Sequence, residues 1–172
     1  KITNVGGLNK IGSGTLSLTN TSDYAGATTV TAGTLSLTGA LTKSTVTAAG
    51  GTLAGTGSAA GIVAASGGKV SPGTTAGAVA TLASTGGITF QSGSTYVADV
   101  TLASADKLTS VGATSITGGT VAAQGLNAQY NFNSTYTILT AAGGRTGTFS
   151  GITATGFNLA FPHTPEVVVG VS

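Results

Sequence analysis

Residues 14–19 read GTLSLT, and residues 33–38 read GTLSLT again. A related copy, GTLAG, follows at 51–55. Within each copy apolar residues alternate with Thr, Ser or Ala, so the apolar side chains share one face of an extended chain. The alternation predicts a short strand with one buried face. The copies begin at Gly14, Gly33 and Gly51, and this nearly even spacing predicts a repeat architecture.

The apolar residue at the equivalent place in each unit marks the repeat along the chain. The positions are Leu16, Leu35, Leu53, Val70, Ile88, Val121 and Ile138. The steps between them are nearly equal, apart from the step from Ile88 to Val121, which is close to two ordinary steps. A second short strand fits several units, around Val30, Val46 and Ile62. Units this short cannot bury an apolar face alone, so we expect them to stack on one another.

The predicted fold class is all-β, a right-handed parallel β-helix (β-solenoid) with a C-terminal cap. We expect about eight or nine rungs, where a rung is one turn of the chain around the axis. The first six marker residues, Leu16 to Val121, would form an inward core ladder. Gly-Gly pairs such as 50–51 and 67–68 fit the corners, because Gly adopts positive φ. The alternative is an antiparallel sandwich, and the regular spacing argues against it.

Composition narrows the classes of function. Only 6% of the 172 residues are charged and the net charge is +2, without a run of Lys or Arg that could bind phosphates. We therefore expect no nucleic-acid partner. The chain has no Cys, which excludes disulfides and Cys-ligated metals. Twenty-nine Gly residues and few charges fit a narrow solenoid with a hydroxyl-rich outer surface.

The segment KIGSGTLSLTNTSDYAGATTVTAGTLSLTG (10–39) resembles the autotransporter-associated strand repeat of bacterial type V secretion passengers. In that repeat a Gly-Thr-Leu strand is followed by a turn with a Tyr, a Thr-Thr-Val strand and Ala-Gly-Thr-Leu. The counterparts here are Tyr24, Thr28–Val30 and 32–35, with Ala27 where the repeat favours a second Gly. Segments 93–121 and 136–151 are similar to the C-terminal part of such passengers.

The resemblance implies that the two ends of the chain have different roles. Passengers of this family cross the outer membrane through a C-terminal β-barrel, and their last rungs fold first and template the rest, a role called autochaperone. The resemblance thus implies a stalk at 1–129 and C-terminal rungs and a cap at 130–172, within one continuous solenoid. It also implies location at the bacterial cell surface or secretion, with the family's outer-membrane β-barrel, outside this chain, as partner.

The C-terminal segment is also the richest in aromatic residues. Six of the nine aromatic residues fall between 130 and 161, so we expect apolar burial per rung to be highest there. The predicted seed and cap residues are Tyr136, Ile138, Leu139, Gly147, Phe149 and Phe157.

Few residues could carry chemistry. His163 is the single His and lies between two Pro residues, which favours a turn. Asp99 and Asp106 are seven positions apart, and we expect Asp106 and Lys107 to form a solvated turn. Acid–base catalysis needs clustered carboxylates, and this chain has four acidic residues in all. We predict no enzyme activity, no metal and no cofactor.

The predicted function is therefore a non-catalytic structural stalk and folding seed. Two alternatives stay open at this point. The rod could itself be an adhesin or a self-associating aggregation factor, with a host surface or identical passengers as partners. It could also be the stem of an enzyme whose catalytic domain lies upstream.

Overall fold

The computed structural model describes residues 1–130 and 134–159, which form strands, turns and no helix. In chain order the strands are β1 (Leu8–Lys10), β2 (Thr15–Leu18), β3 (Thr28–Val30), β4 (Thr34–Leu37), β5 (Ala40–Ala48), β6 (Thr52–Gly55), β7 (Ser58–Ala64), β8 (Lys69–Pro72), β9 (Thr81–Ser84), β10 (Ile88–Phe90), β11 (Thr95–Val100), β12 (Lys107–Ser110), β13 (Thr114–Ile116), β14 (Thr120–Tyr130), β15 (Leu139–Ala141), β16 (Arg145–Gly147) and β17 (Gly151–Leu159).

All pairings between these strands are parallel, and each strand pairs with a strand one rung away. Face A is the stack β1-β3-β5-β7-β10-β13-β16, and face B is the stack β2-β4-β6-β8-β11-β14-β17. The chain alternates between the faces, so every rung contributes one strand to each. The predicted parallel β-helix is confirmed, while its right-handed sense stays a prediction.

A third side, face C, branches from face A. The first residues of β7 pair with β9, whereas its last residues pair with β10, so one strand serves two faces. β5 makes the same turn at an irregularity between Leu41 and Thr45. Face C then continues through β9, β12 and β15. Each rung therefore runs from face A to face B to face C.

The described residues contain seven rungs, fewer than the eight or nine predicted from a constant period. The inward position of face B shows why. It is occupied in turn by Leu16, Leu35, Leu53, Val70, Tyr96, Val121 and Ile152. The first three steps, from Leu16 to Val70, are short and nearly equal, as in the sequence pattern, but the three after Val70 are all longer. Longer rungs use more chain for the same height.

Ile88 does not belong to this ladder, so its assignment there was wrong. It lies in β10 on face A, between Ile62 and Thr114, and it is buried. The face B residue of that rung is Tyr96, which no Gly-Thr or Gly-Gly pair precedes. Ile138 is likewise outside the ladder, because it precedes β15 on face C.

The lengthening of the later rungs is concentrated at one edge, the corner between faces B and C. In the second and third rungs this corner is two residues long, 38–39 and 56–57. In the fourth rung it is eight residues long, 73–80, which we call the corner loop, and in the fifth it is six residues long, 101–106. Insertions at a surface corner leave the stacked strands in register, so the core can tolerate them.

Inward side chains from the three faces fill one continuous core. Leu35, Leu53, Val70 and Val121 are almost completely buried, and Leu16 in the first rung is half-buried against the same cluster. At the corner between faces A and B, Gly33 has φ +66°, and a Cβ there would lie 2.4 Å from the carbonyl oxygen of Gly12. Close stacking of successive corners therefore requires Gly at this position.

We predict that Leu35→Ala lowers the free energy of unfolding by about 2–5 kcal/mol, because the fully buried Leu35 leaves a cavity that neighbouring rungs cannot fill. Ser36→Ala is the matched control, since Ser36 points outward from the same strand. It should change stability by less than about 0.5 kcal/mol. Urea unfolding followed by circular dichroism measures both. Equal effects of the two substitutions would contradict the inward assignment of Leu35.

Candidate functional site

The corner loop covers a carboxylate on the outer side of face B. Asp99 of β11 lies opposite Gln124 of β14, whose side chain is exposed. Asp99 is nevertheless only 5% exposed, because the corner loop lies over it. The backbone N–H of Gly77 donates to Asp99 Oδ2 at 2.6 Å. The loop is therefore attached to the next rung through a charged hydrogen bond.

A second carboxylate attaches the end of the same loop. Asp106 is completely buried, and its Oδ1 accepts a hydrogen bond from the N–H of Ala80 at 2.7 Å. Its Oδ2 accepts from the N–H of Asp99 at 3.0 Å, and its own N–H donates to Asp99 O at 2.8 Å. Asp99 and Asp106, which we call the carboxylate clasp, thus hold the second half of the corner loop through the backbone N–H groups of Gly77 and Ala80.

The expectation of a solvated turn at Asp106 and Lys107 is wrong. Asp106 is buried because the corner loop and the 101–106 turn enclose it, while Lys107 remains half-exposed. The corner loop that covers Asp106 lies about one rung earlier in sequence, so the residues next to Asp106 gave no sign of it. The sequence signal that could have indicated longer corners was the step from Ile88 to Val121, which is close to two ordinary steps.

The clasp has an electrostatic cost. The pKa of Asp106 is raised from 3.8 to about 6, chiefly by burial; the hydrogen bonds from the N–H groups of Asp99 and Ala80 lower it in part, and the nearby charge of Asp99 adds to the rise. Burial, together with the negative charge of Asp106, also raises the pKa of the Tyr96 hydroxyl well above its ordinary value. Both groups are therefore held in an environment that disfavours charge.

Tyr96 connects this corner to the predicted folding seed. Its buried hydroxyl donates to the carbonyl oxygen of Ile138 at 2.7 Å and lies 3.1 Å from that of Asp106. Its ring lies beside those of Phe90 and Phe149, with centroids 5.8 and 6.3 Å away. Phe90 and Phe149 meet edge to face at 5.0 Å. This aromatic cluster joins the last three described rungs.

The other predicted seed residues divide into two places. Ile138 and Leu139 are buried on face C, where Leu139 pairs with Leu108. Gly147 ends β16 with φ +75°, and a Cβ there would lie 1.8 Å from the carbonyl oxygen of Ile116, so only Gly fits.

Two seed rings lie farther out, near the corner between faces B and C. Phe157 packs against Tyr130 at 4.7 Å, and the hydroxyl of Tyr130 donates to Val100 O at 2.6 Å. Tyr136 is half-buried and donates to the carbonyl oxygen of Leu102 at 3.3 Å. These contacts fasten the outer edge of the last rungs.

The segment with the most aromatic residues is not the segment whose aromatic side chains are most deeply buried. The large side chains that are fully buried include Tyr24, Phe90 and Tyr96, which all precede residue 130. Phe149, Phe157 and Tyr136 are only half-buried, and Phe132 and Phe161 lie outside the described residues. The expectation that burial per rung peaks after residue 130 is therefore not supported, because the rings there form an outer layer on rungs whose centre is Tyr96 and Phe90.

The described part of the chain offers little for catalysis or metal binding. No group of three or more His, Cys, Asp or Glu residues comes together there. Both carboxylates of the clasp accept backbone hydrogen bonds, which suits a structural role. The expected turn at His163 lies outside the described residues. Nor does any helix in the described ranges have the length and apolar character to cross a membrane.

We predict that the free energy of unfolding rises as the pH falls from about 7 to about 5. Asp106 has a pKa of about 6 in the folded state, whereas the pKa of an Asp in an unfolded chain is about 3.9. The folded state therefore binds more protons in this window, and stability gained by protonation is lost again as the pH rises through 6. Asp106→Asn should flatten this dependence.

Asp23→Asn is the matched control, because Asp23 is a partly exposed Asp whose carboxylate lies 3.5 Å from Lys1 Nζ. It should keep the slope of the parent chain between pH 5 and 7. Urea midpoints at several pH values give the slopes directly. A parent stability that rises with pH across this window would contradict the buried state of Asp106.

The N-terminal part of the chain matches a known protein-family model. The family model described as passenger-associated-transport-repeat matches residues 8–37. No curated protein matches the chain. The matched residues run from β1 to the end of β4, which is one complete turn plus two strands of the β-helix. Such repeats occur in autotransporter passenger domains, and residues 8–37 of this chain match one of them.

Proposed function

We propose that this chain is a region of an autotransporter passenger and forms a non-catalytic stalk, whose last three described rungs, β10 to β17, serve as its folding seed. The repeat at 8–37 implies export to the cell surface or secretion. In the proposal, these rungs form first after export, and the earlier rungs then add to them one at a time. The outer-membrane β-barrel of such passengers would be the partner that delivers the chain.

The observation that carries the proposal is the aromatic cluster of Phe90, Tyr96 and Phe149. Its ring contacts connect β10 and β11 with the turn before β17, and the Tyr96 hydroxyl adds a buried hydrogen bond to Ile138 across 42 positions. Aromatic pairs of this geometry stabilise by about 0.5–1.5 kcal/mol beyond the area they bury. A cluster that spans rungs strengthens the interfaces between them, which are the terms that favour growth of a solenoid.

The length of the paired strands also supports a folding seed in the last rungs. β14 and β17 pair at eight positions, from Thr120 with Gly151 to Tyr130 with Leu159, across one irregularity. The N-terminal pairs β2–β4 and β4–β6 have four positions each. A longer parallel pair forms more hydrogen bonds for each rung closed, so a nucleus made of these strands should be the most stable one in the chain.

The ring contacts favour a seed centred upstream of the segment that the sequence indicated. The buried rings Phe90 and Tyr96 belong to the fifth rung, whereas Phe149 and Phe157 lie on later rungs and contact earlier residues. A seed restricted to 130–172 would lack the contacts of Phe149 with Phe90 and Tyr96. We therefore place its N-terminal limit at β10, and the domain division at 129 and 130 stays a prediction.

The non-catalytic character is supported by how the acidic residues are used. Asp99 and Asp106 hold the corner loop, and Asp23 pairs with Lys1. The three acidic residues within the described ranges thus all make structural contacts. A stem below an upstream enzyme would have the same structure, and the sequence before Lys1 would distinguish the two.

A pair of Leu substitutions tests the seed. Leu108 on β12 and Leu35 on β4 are both fully buried, so each Leu→Ala change should cost about 2–5 kcal/mol. In a seed, Leu108→Ala should slow refolding by roughly tenfold, since its contacts are already formed in the transition state. Leu35→Ala should leave the refolding rate within about twofold and speed unfolding instead.

Stopped-flow refolding from urea, followed by circular dichroism, gives both rates for both variants. The comparison is matched in residue type, burial and expected loss of stability, so the position of each residue in the rod is the variable. Slowing of refolding by Leu35→Ala equal to or greater than that by Leu108→Ala would place the nucleus in the N-terminal rungs and contradict the proposal.

A further inference from the structure

The corner loop contains a short exposed stretch between the end of β8 and the residues that the clasp holds. Thr74, Thr75 and Ala76 are exposed, and so is Ala78. The clasp holds the loop from Gly77 onward, whereas the stretch before it is closed by a turn hydrogen bond from Ala78 N–H to Thr75 O at 3.2 Å. Exposed loops of small and polar residues are preferred sites of proteolytic cleavage.

The other long corner, 101–106, is exposed as well, but its own hydrogen bonds close it more firmly. Thr101 N–H donates to Ser104 O at 2.8 Å, and the Thr101 hydroxyl oxygen accepts from Ser104 N–H at 3.0 Å. Ala103 N–H donates to the same oxygen at 3.4 Å. A protease binds its substrate in an extended conformation, so these bonds would have to break before cleavage. The corner loop has less to break.

The backbone nitrogen of Gly77 lies against a buried charged group. Its N–H donates to Asp99 Oδ2 at 2.6 Å, and Asp99 is only 5% exposed. Within residues 1–130 and 134–159 the ion pair is the one between Lys1 and Asp23, so no Lys or Arg there is paired with Asp99. A buried carboxylate is costly unless a cation accompanies it. The environment of Asp99 therefore favours a positive charge at the nitrogen of Gly77.

We propose that the peptide bond between Ala76 and Gly77 is a processing site for an endopeptidase that cleaves after small residues. As the C–N bond breaks, water supplies a hydroxyl group to the carbonyl carbon of Ala76 and a hydrogen to the nitrogen of Gly77. The proton of the resulting carboxylic acid then passes to the new amine. This inference does not depend on the folding seed.

The new chain end at Gly77 forms where a cation is favoured. An α-amino group is mostly protonated at pH 7, because its ordinary pKa is about 7.7–8.0. The hydrogen bond from Gly77 to Asp99 Oδ2 thus becomes an ion pair without movement of the nitrogen. The new carboxylate belongs to Ala76, which is exposed and can turn into solvent. Asp99 is therefore a preformed receptor for the new terminus.

The stacked strands hold both fragments together after the cut. The corner loop joins β8 on face B to β9 on face C, so the cut separates fragments 1–76 and 77–172. β8 pairs with β11, and β7 pairs with both β9 and β10. Three pairs of strands therefore connect the fragments, and the cut removes no strand from either face.

Limited digestion with a serine protease of the elastase type, whose specificity pocket is small, tests the site. Intact-mass spectrometry should place the first cut within residues 1–130 between Ala76 and Gly77. Size-exclusion chromatography should elute the two fragments together. Ala76→Gln should slow the cut by roughly tenfold or more, because a long side chain does not enter a small pocket. Ala103→Gln is the matched control in the other long corner and should leave the rate unchanged.

The ion pair at the new terminus has a separate test. Asp99→Asn keeps an oxygen for Gly77 N–H in the uncut chain but removes the charge that the new ammonium group meets. It should lower the melting temperature of the cut form by roughly 3–10 °C more than that of the uncut form. The melting temperature of the uncut variant also shows whether the fold is kept. The position of the cut and the association of the fragments are measured on the parent chain and do not depend on this variant.

Three results would overturn the proposal. The first is a first cut elsewhere within residues 1–130, or no cut there, under conditions that digest the urea-unfolded chain. The second is separation of the two fragments on the column. The third is an equal loss of melting temperature from Asp99→Asn in the cut and uncut forms, since Asp99 would then not act on the new terminus.

Discussion

The parallel hydrogen bonding of each rung to the next, in fixed register, is the constraint on which the rest of this molecule depends. It places Leu16, Leu35, Leu53 and Val70 above one another, although a whole rung of sequence separates each from the next. No rung can bury its apolar face alone, so each one is stable because of its neighbours. A narrow core of this kind is filled by Leu, Val and Ala, and therefore the surface can be Thr and Ser with few charges. Register also limits where the chain can vary, since a one-residue shift within a strand would turn its apolar side chains outward.

The corner between faces B and C is where the molecule departs from its simple repeat. The stacked strands fix three sides, so the extra residues of the described later corners lie at 73–80 and at 101–106. Longer corners expose backbone groups that need partners, and the carboxylates of Asp99 and Asp106 supply them. The cost is a buried charge, which is seen in the raised pKa of Asp106. One corner thus links packing and electrostatics.

The sequence predicts the fold well where the unit is short. Between Leu16 and Val70 the Gly-Thr-Leu spacing predicts strands, register and inward residues, because local alternation and the rung period coincide there. It fails for Ile88, since face C adds its own strand, β9, and moves the next Gly-Gly signal to face A. The Tyr96 position carries no comparable signal. The site was less predictable than the fold: Asp106 looks exposed beside Lys107, and its burial depends on residues one rung away. The aromatic residues near the C-terminus drew attention to the right region, but their number did not indicate which rings are buried.

The central claim is that successive rungs stack in register along one axis, and a distance between two rungs tests it most directly. The chain has no Cys, so spin labels can be attached at Thr15→Cys and Gly151→Cys alone. Both positions are exposed, and they lie in the same register row of face B, six strand spacings apart. With about 4.8 Å between strands, double electron–electron resonance should give a single distance distribution centred at roughly 29 Å. A broad distribution, or one centred below about 20 Å or above about 40 Å, would contradict a continuous seven-rung stack.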